Sequence, residues 1–112
     1  MEMINRWILI IKPKTPFLNW LKSIPGCDPD LTLLELRESP TTILIPKFDA
    51  EEEVDEFIKK NGETFFESEL LNTGKNKEYW PKNISFKLFK EWFDIETSSI
   101  VFDFVEQDIL KD

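Results

Sequence analysis

Carboxylates are the residues of this chain best supplied to do chemistry, and they are concentrated. Asp49, Glu51, Glu52, Glu53, Asp55, Glu56, Glu63, Glu67 and Glu69 lie within residues 49–72, opposed there only by Lys59 and Lys60. Nearly all of the formal charge of −8 comes from this stretch. Acids at the start of a helix gain from the helix macrodipole. They also offer a negative surface that speeds association with a basic partner. Glu51, Glu52, Glu53, Asp55 and Glu56 are accordingly the expected partner-binding residues. A hard-cation site is a weaker use of the same oxygens. The charge balance argues against direct nucleic-acid binding, which needs a positive patch to release counterions.

The second candidate is aromatic. Tyr79 and Trp80 stand in a polar stretch before Pro81 and Lys82. Two such rings either plug the space under a loop or are displayed, where Trp80 would anchor a partner. The pair joins the expected partner surface on the second reading.

Most other chemistry is excluded by what the chain lacks. It has no histidine, which removes Ser-His-Asp and Cys-His catalysis and histidine metal sites. Its three glycines fall in no phosphate-cradling motif. Cys27 is the single cysteine, so neither an intrachain disulfide nor a thiolate metal cluster can form. It stands beside Asp28 and Asp30, not the positive neighbours that activate a thiolate. No catalytic residue, cofactor or metal ligand is assigned, and the balance leans away from an enzyme.

These residues need elements to hold them. Arg6–Ile11 is apolar and β-branched, which suits a strand buried on both faces. Thr15 is placed to cap a helix with Pro16 at its first position, and Phe17, Trp20, Leu21 and Ile24 recur at helical spacing. Thr32 and Glu35 have capping-box spacing for a short helix, stopped by Ser39-Pro40. Thr41–Ile45 reads as a second strand. Asp49 is the expected cap of a helix running, with a kink at Gly62, to Leu71. Ser85 is the expected cap of a helix over Phe86–Phe93. Ser99–Val105 is the expected last strand, followed from Glu106 by a polar tail.

The resulting order, β-α-α-β-α-α-β, predicts an α/β (or α+β) fold. It would hold a small three-stranded, mostly parallel sheet covered by about four helices with right-handed crossovers. At 112 residues the chain is expected to form one domain with its own core. Met1–Arg6 has no signal-peptide pattern and the apolar runs are too short to span a bilayer. A reducing cytoplasmic setting with no membrane contact is expected.

Arg6-Trp7, Lys12-Pro13-Lys14, Pro16-Phe17, Trp20, Ile45-Pro46 before an acidic helix, Trp80-Pro81-Lys82 and Glu91-Trp92-Phe93 form a pattern through most of the chain. In it the chain resembles a family of small, acidic, uncharacterised bacterial proteins. The resemblance implies a bacterial cytosolic origin and carries no activity with it.

Three readings follow. The preferred one is a non-catalytic protein-interaction domain that engages a basic partner, antitoxin-like inhibition being one version. By architecture and charge alone, barstar is an analogue of that version. The alternative is a carboxylate-based enzyme or ligand-binding domain, with Asp103 as a mid-strand carboxylate partnered by Lys12 or Arg6 and acids converging on a pocket. A homodimer or other homo-oligomer joined through Trp92 and Phe93 is the third.

Overall fold

A computed structural model describes residues 1–112. The chain is an α+β protein built on strand β2 (Arg6–Pro13), which runs between β3 (Thr41–Pro46) and β4 (Phe93–Ser98). Both neighbours pair with it antiparallel: Trp7 lies opposite Ile45, and Ile11 lies opposite Thr41 on one side and Ile95 on the other. A separate two-stranded piece joins β1 (Glu2–Met3) to β5 (Phe102–Asp103), also antiparallel. Four helices complete the fold: α1 (Thr15–Ser23), α2 (Leu33–Leu36), α3 (Glu51–Asn72) and α4 (Phe86–Trp92).

The expected mostly parallel α/β sheet is therefore overturned, and the end of the sheet at which each strand begins explains why. One helix between strands carries the chain to the far end of a sheet and yields a parallel neighbour. Between β2 and β3 the chain, through α1 and α2, returns to the end it left: Thr41 pairs with Ile11. Between β3 and β4 the chain, chiefly along α3, about 33 Å long for its 22 residues, passes from the Arg6 end of β2 to its Pro13 end, where Phe93 pairs. It sets β4 in the same direction as β3, but β2 lies between them, so every hydrogen-bonded pair is antiparallel.

The third strand of the main sheet is also not the expected one. Phe93 and Ile95 turn inward while Asp94, Glu96 and Ser98 face water, a period-two pattern that begins directly where α4 stops. Residues 99–105 alternate too, but Ile100, Phe102 and Phe104 are 65%, 47% and 83% exposed. Only Phe102 and Asp103 of that segment pair, and they do so with the N-terminus.

The core forms on one face of the sheet. Leu9, Ile11, Ile45 and Phe93 meet Phe17 and Leu21 of α1, Val54, Ile58, Phe66 and Leu70 of α3, and Phe89 of α4. Burying such side chains contributes about 1.5–3 kcal/mol each before conformational entropy is counted. Ile8 and Ile10 on the other face are only half-buried, so β2 is not enclosed on both sides.

Local signals set the helix ends. Thr32 and Glu35 form a reciprocal capping box, and Ser85 Oγ accepts the Leu88 N–H at 3.1 Å. Pro25 and Gly26, with Gly26 at φ 86°, make the turn after α1, closed by the Cys27 N–H on the Ile24 carbonyl. Two expected caps move by one residue: Lys14 precedes α1 and Ala50 precedes α3, neither with a side-chain cap. At α3 the Glu53 carboxylate instead accepts the Asp49 N–H at 3.2 Å.

Candidate functional site

Helix α3 holds the candidate carboxylates in two settings. Its buried positions, Val54, Ile58, Gly62, Phe66 and Leu70, recur every fourth residue. That spacing leaves Glu51, Glu52, Glu53, Asp55, Glu56, Glu63 and Glu67 exposed to water. Helix α3 runs unbroken through Gly62, and the glycine lets α4 come close: a Cβ there would stand 3.0 Å from Phe86 Cδ1 and 3.3 Å from Phe86 Cα. The ion pairs of the molecule, Lys12 with Glu96 at 3.3 Å and Arg37 with Asp94 at 2.9 Å, involve none of these acids. Asp55 and Glu56 border a groove of about 480 Å³ whose floor includes Ile58, Phe86 and Ile95 and whose rim includes Lys59 and Lys90.

The other setting is at the opposite end of the helix. Glu69 lies in the next-to-last turn, beside the start of β3, and lines a cleft of about 270 Å³. Its Oε1 is shut off from solvent and has no hydrogen-bond partner. Burial pushes its carboxyl above the ordinary glutamate value of 4.5, and a hydrogen bond with the Thr41 side chain offsets part of that rise. The last turn of α3 carries no basic residue. In the sequence Glu69 is one member of the acidic run. Its spacing from Phe57, Asn61 and Phe65, four residues apart on the flank of the apolar stripe, was the available signal.

Tyr79 and Trp80 sit away from both. A 3-10 turn over Lys77–Tyr79 carries Tyr79, 41% exposed, while Trp80 is half-buried against the core. The loop is tied down by Trp20 Nε1, which donates to the Tyr79 carbonyl at 2.8 Å, and Lys77 Nζ lies 5.5 Å from the centre of the Trp80 ring. The aromatic pair and the acidic start of α3 do not share a pocket.

The residues behind the other two readings are placed differently from expectation. Asp103 belongs to the β1–β5 piece, not to the main sheet, accepts the Val105 N–H at 2.8 Å, and lines with Glu2, Glu106 and Asp108 a cleft of about 660 Å³. Lys12 pairs with Glu96, and Arg6 donates to Asn5. Phe93 is buried, and Trp92 packs against Phe17, Trp20 and Phe66, with ring centres 5.3–6.3 Å apart. Phe93 is thus committed inside the protomer, and Trp92, partly buried, packs inward on one side. Cys27 is half-buried, and Asp28 closes a local turn by accepting the Asp30 N–H at 2.9 Å.

No group of three or more His, Cys, Asp or Glu is arranged to hold a metal ion. No helix is long and apolar enough to cross a membrane. Comparison with protein-family models, with curated proteins and with solved structures finds no match to this chain.

Proposed function

We propose that this protein is a non-catalytic interaction domain that presents the acidic start of α3 to a basic protein partner. One observation carries the reading: Glu51, Glu52, Glu53, Asp55 and Glu56 are exposed, and none is engaged in an ion pair of its own molecule. An unpaired acidic surface keeps its full field for long-range attraction, which raises association rates and screens away with salt. The groove beside Asp55 and Glu56 supplies apolar area that charge alone does not. Inhibition of a basic enzyme by covering its positive site, in the manner of an antitoxin in a bacterial cytoplasm, is one form this takes. Tyr79 is a peripheral contact in this reading, and Trp80 serves mainly to hold its own loop.

The experiment is capture of partners from the native cell at low and high salt, with the double variant Glu52→Lys, Glu53→Lys as control. Capture is expected to fall at least about tenfold on charge reversal, because like charges set against a basic surface cost several kcal/mol. Equal capture by both proteins would refute the acidic surface as the docking site.

A further inference from the structure

The ribbon formed by β1 and β5 stands outside the main sheet and is poorly satisfied by its own chain. Its register sets Glu2 directly opposite Asp103 and Met3 directly opposite Phe102. Successive side chains of a strand point to opposite faces, so one face of the ribbon is acidic and the other apolar. Like charges directly opposite each other destabilise a strand pair, and neither carboxylate has an ion-pair partner in the molecule. On the other face Met3 is 59% and Phe102 47% exposed. Two strands of two residues each are marginal in water without a third strand or a covering layer.

The surroundings show what chemistry would complete the ribbon. Glu2 and Asp103 open on the cleft of about 660 Å³, where Glu106 and Asp108 join them and no lysine or arginine side chain answers the four carboxylates. Phe104 and Ile109 line the same cleft while remaining 83% and 63% exposed. Exposed apolar side chains gathered beside polar ones mark an interaction surface. Each strand has a single neighbour, so both outer edges of the ribbon are free to pair. A second copy of this face would set four more carboxylates against these four, and like charges in an interface are strongly disfavoured. The complement is a basic segment that also brings apolar side chains.

We propose that the ribbon docks an extended segment of a protein partner, added as a third strand, in which lysine or arginine alternates with apolar residues. In that register the basic side chains enter the cleft lined by Glu2 and Asp103, and the apolar ones lie beside Met3 and Phe102. Strand addition takes its affinity from main-chain hydrogen bonds and its specificity from alternate side chains. This face is separate from the acids at the start of α3 and does not depend on their having a partner.

The test is a titration of the intact protein with the end-blocked peptide Lys-Val-Lys-Val-Lys, followed by the backbone amide shifts of Met3, Ile4, Phe102 and Asp103. Saturable shifts that weaken with added salt are expected. Lys-Ser-Lys-Ser-Lys keeps the charge without the apolar face, and Lys-Lys-Val-Val-Lys keeps the composition without the alternation. Each should bind about tenfold more weakly or worse. Glu2→Gln with Asp103→Asn keeps the shape and an acceptor for the Val105 N–H, and should weaken binding about tenfold. Glu52→Lys with Glu53→Lys on α3 should stay within about twofold of wild type, since screening isolates distant charges. The docking site is refuted if wild type shows no saturable shift at these amides, if either altered peptide binds as well as the first, if the neutral pair binds as wild type does, or if the α3 variant loses the peptide. A dimer in sedimentation equilibrium that Phe102→Ser dissolves would give the face to a second copy and overturn the proposal equally.

Discussion

Glu52 and Glu69 are the same side chain on the same helix, one in the first turn of α3 and one near its last. The first is exposed, at the pole where the unsatisfied N–H groups favour a negative charge. The second is half-buried, at the pole where the helix carbonyls oppose one, with its Oε1 left without a partner. Glu52 is thus suited to attract at a distance and through solvent. Glu69 is held where burial, not solvent, governs its charge. Residue type names a capacity, and the pole of the helix and the depth of burial decide which capacity is used.

The comparison depends on α3 being one continuous rod, and its largest point of failure is Gly62. Gly62→Val adds methyl groups where even a Cβ presses on the Phe86 side chain and backbone. The higher helix propensity of a non-glycine residue offsets about 0.5–1 kcal/mol at most. Overpacking costs about 1–3 kcal/mol, so a net loss is expected as a lower urea midpoint with an unchanged slope. An unchanged midpoint would mean that α3 and α4 are not held together at this contact.

Next in size is the pH dependence of Glu69 itself. A carboxyl whose folded pKa is raised binds protons more readily in the folded state than in the unfolded chain. Its contribution to stability is therefore full at acid pH. It is lost as pH climbs from 4.5, the ordinary value, through the raised folded value. Glu69→Gln removes that loss. The melting temperature should rise by a few degrees at neutral pH relative to wild type, and the gain should shrink on acidification toward pH 4 and below. A variant less stable than wild type at neutral pH would show that the carboxylate is satisfied in solution, and the contrast between the two poles would fail.

The smallest effect has the opposite sign. Glu51→Gln with Glu52→Gln removes charge from the favourable pole, and should cost about 0.3–1 kcal/mol at low ionic strength. The loss should fade in high salt, as exposed charges are screened. Neutralising a glutamate would then destabilise at one end of α3 and stabilise at the other, measured by the same denaturation experiment.

Much of the local structure was legible from residue types. The Thr32–Glu35 box, the Ser85 cap, the Pro25-Gly26 turn and the apolar stripe of α3 are short-range devices, decided by groups within a few residues of one another. The Phe93–Ser98 strand was not legible. Phe93 is in register with both a helical stripe and a strand pattern, and the choice is made by Pro13, Lys12 and Ile11 across the sheet. Nor was the direction of the strands. It depends on whether the chain between β2 and β3 crosses the sheet or comes back, and both paths have the same hydrophobic pattern. Trp80 was ambiguous for a similar reason: what covers it is the core and Lys77, at a distance that sequence spacing does not measure.

Composition limits the chemistry within reach: carboxylates in excess along one helix, no imidazole, and one thiol without positive neighbours. Composition settles this, because a side chain that is absent cannot act in any fold. How those carboxylates are used is set by three-dimensional packing. Exposure, the pole of α3, and the meeting of five elements around Glu69 are long-range facts. The free energy of a charge depends on the dielectric and dipoles around it, which are supplied by residues remote in the chain.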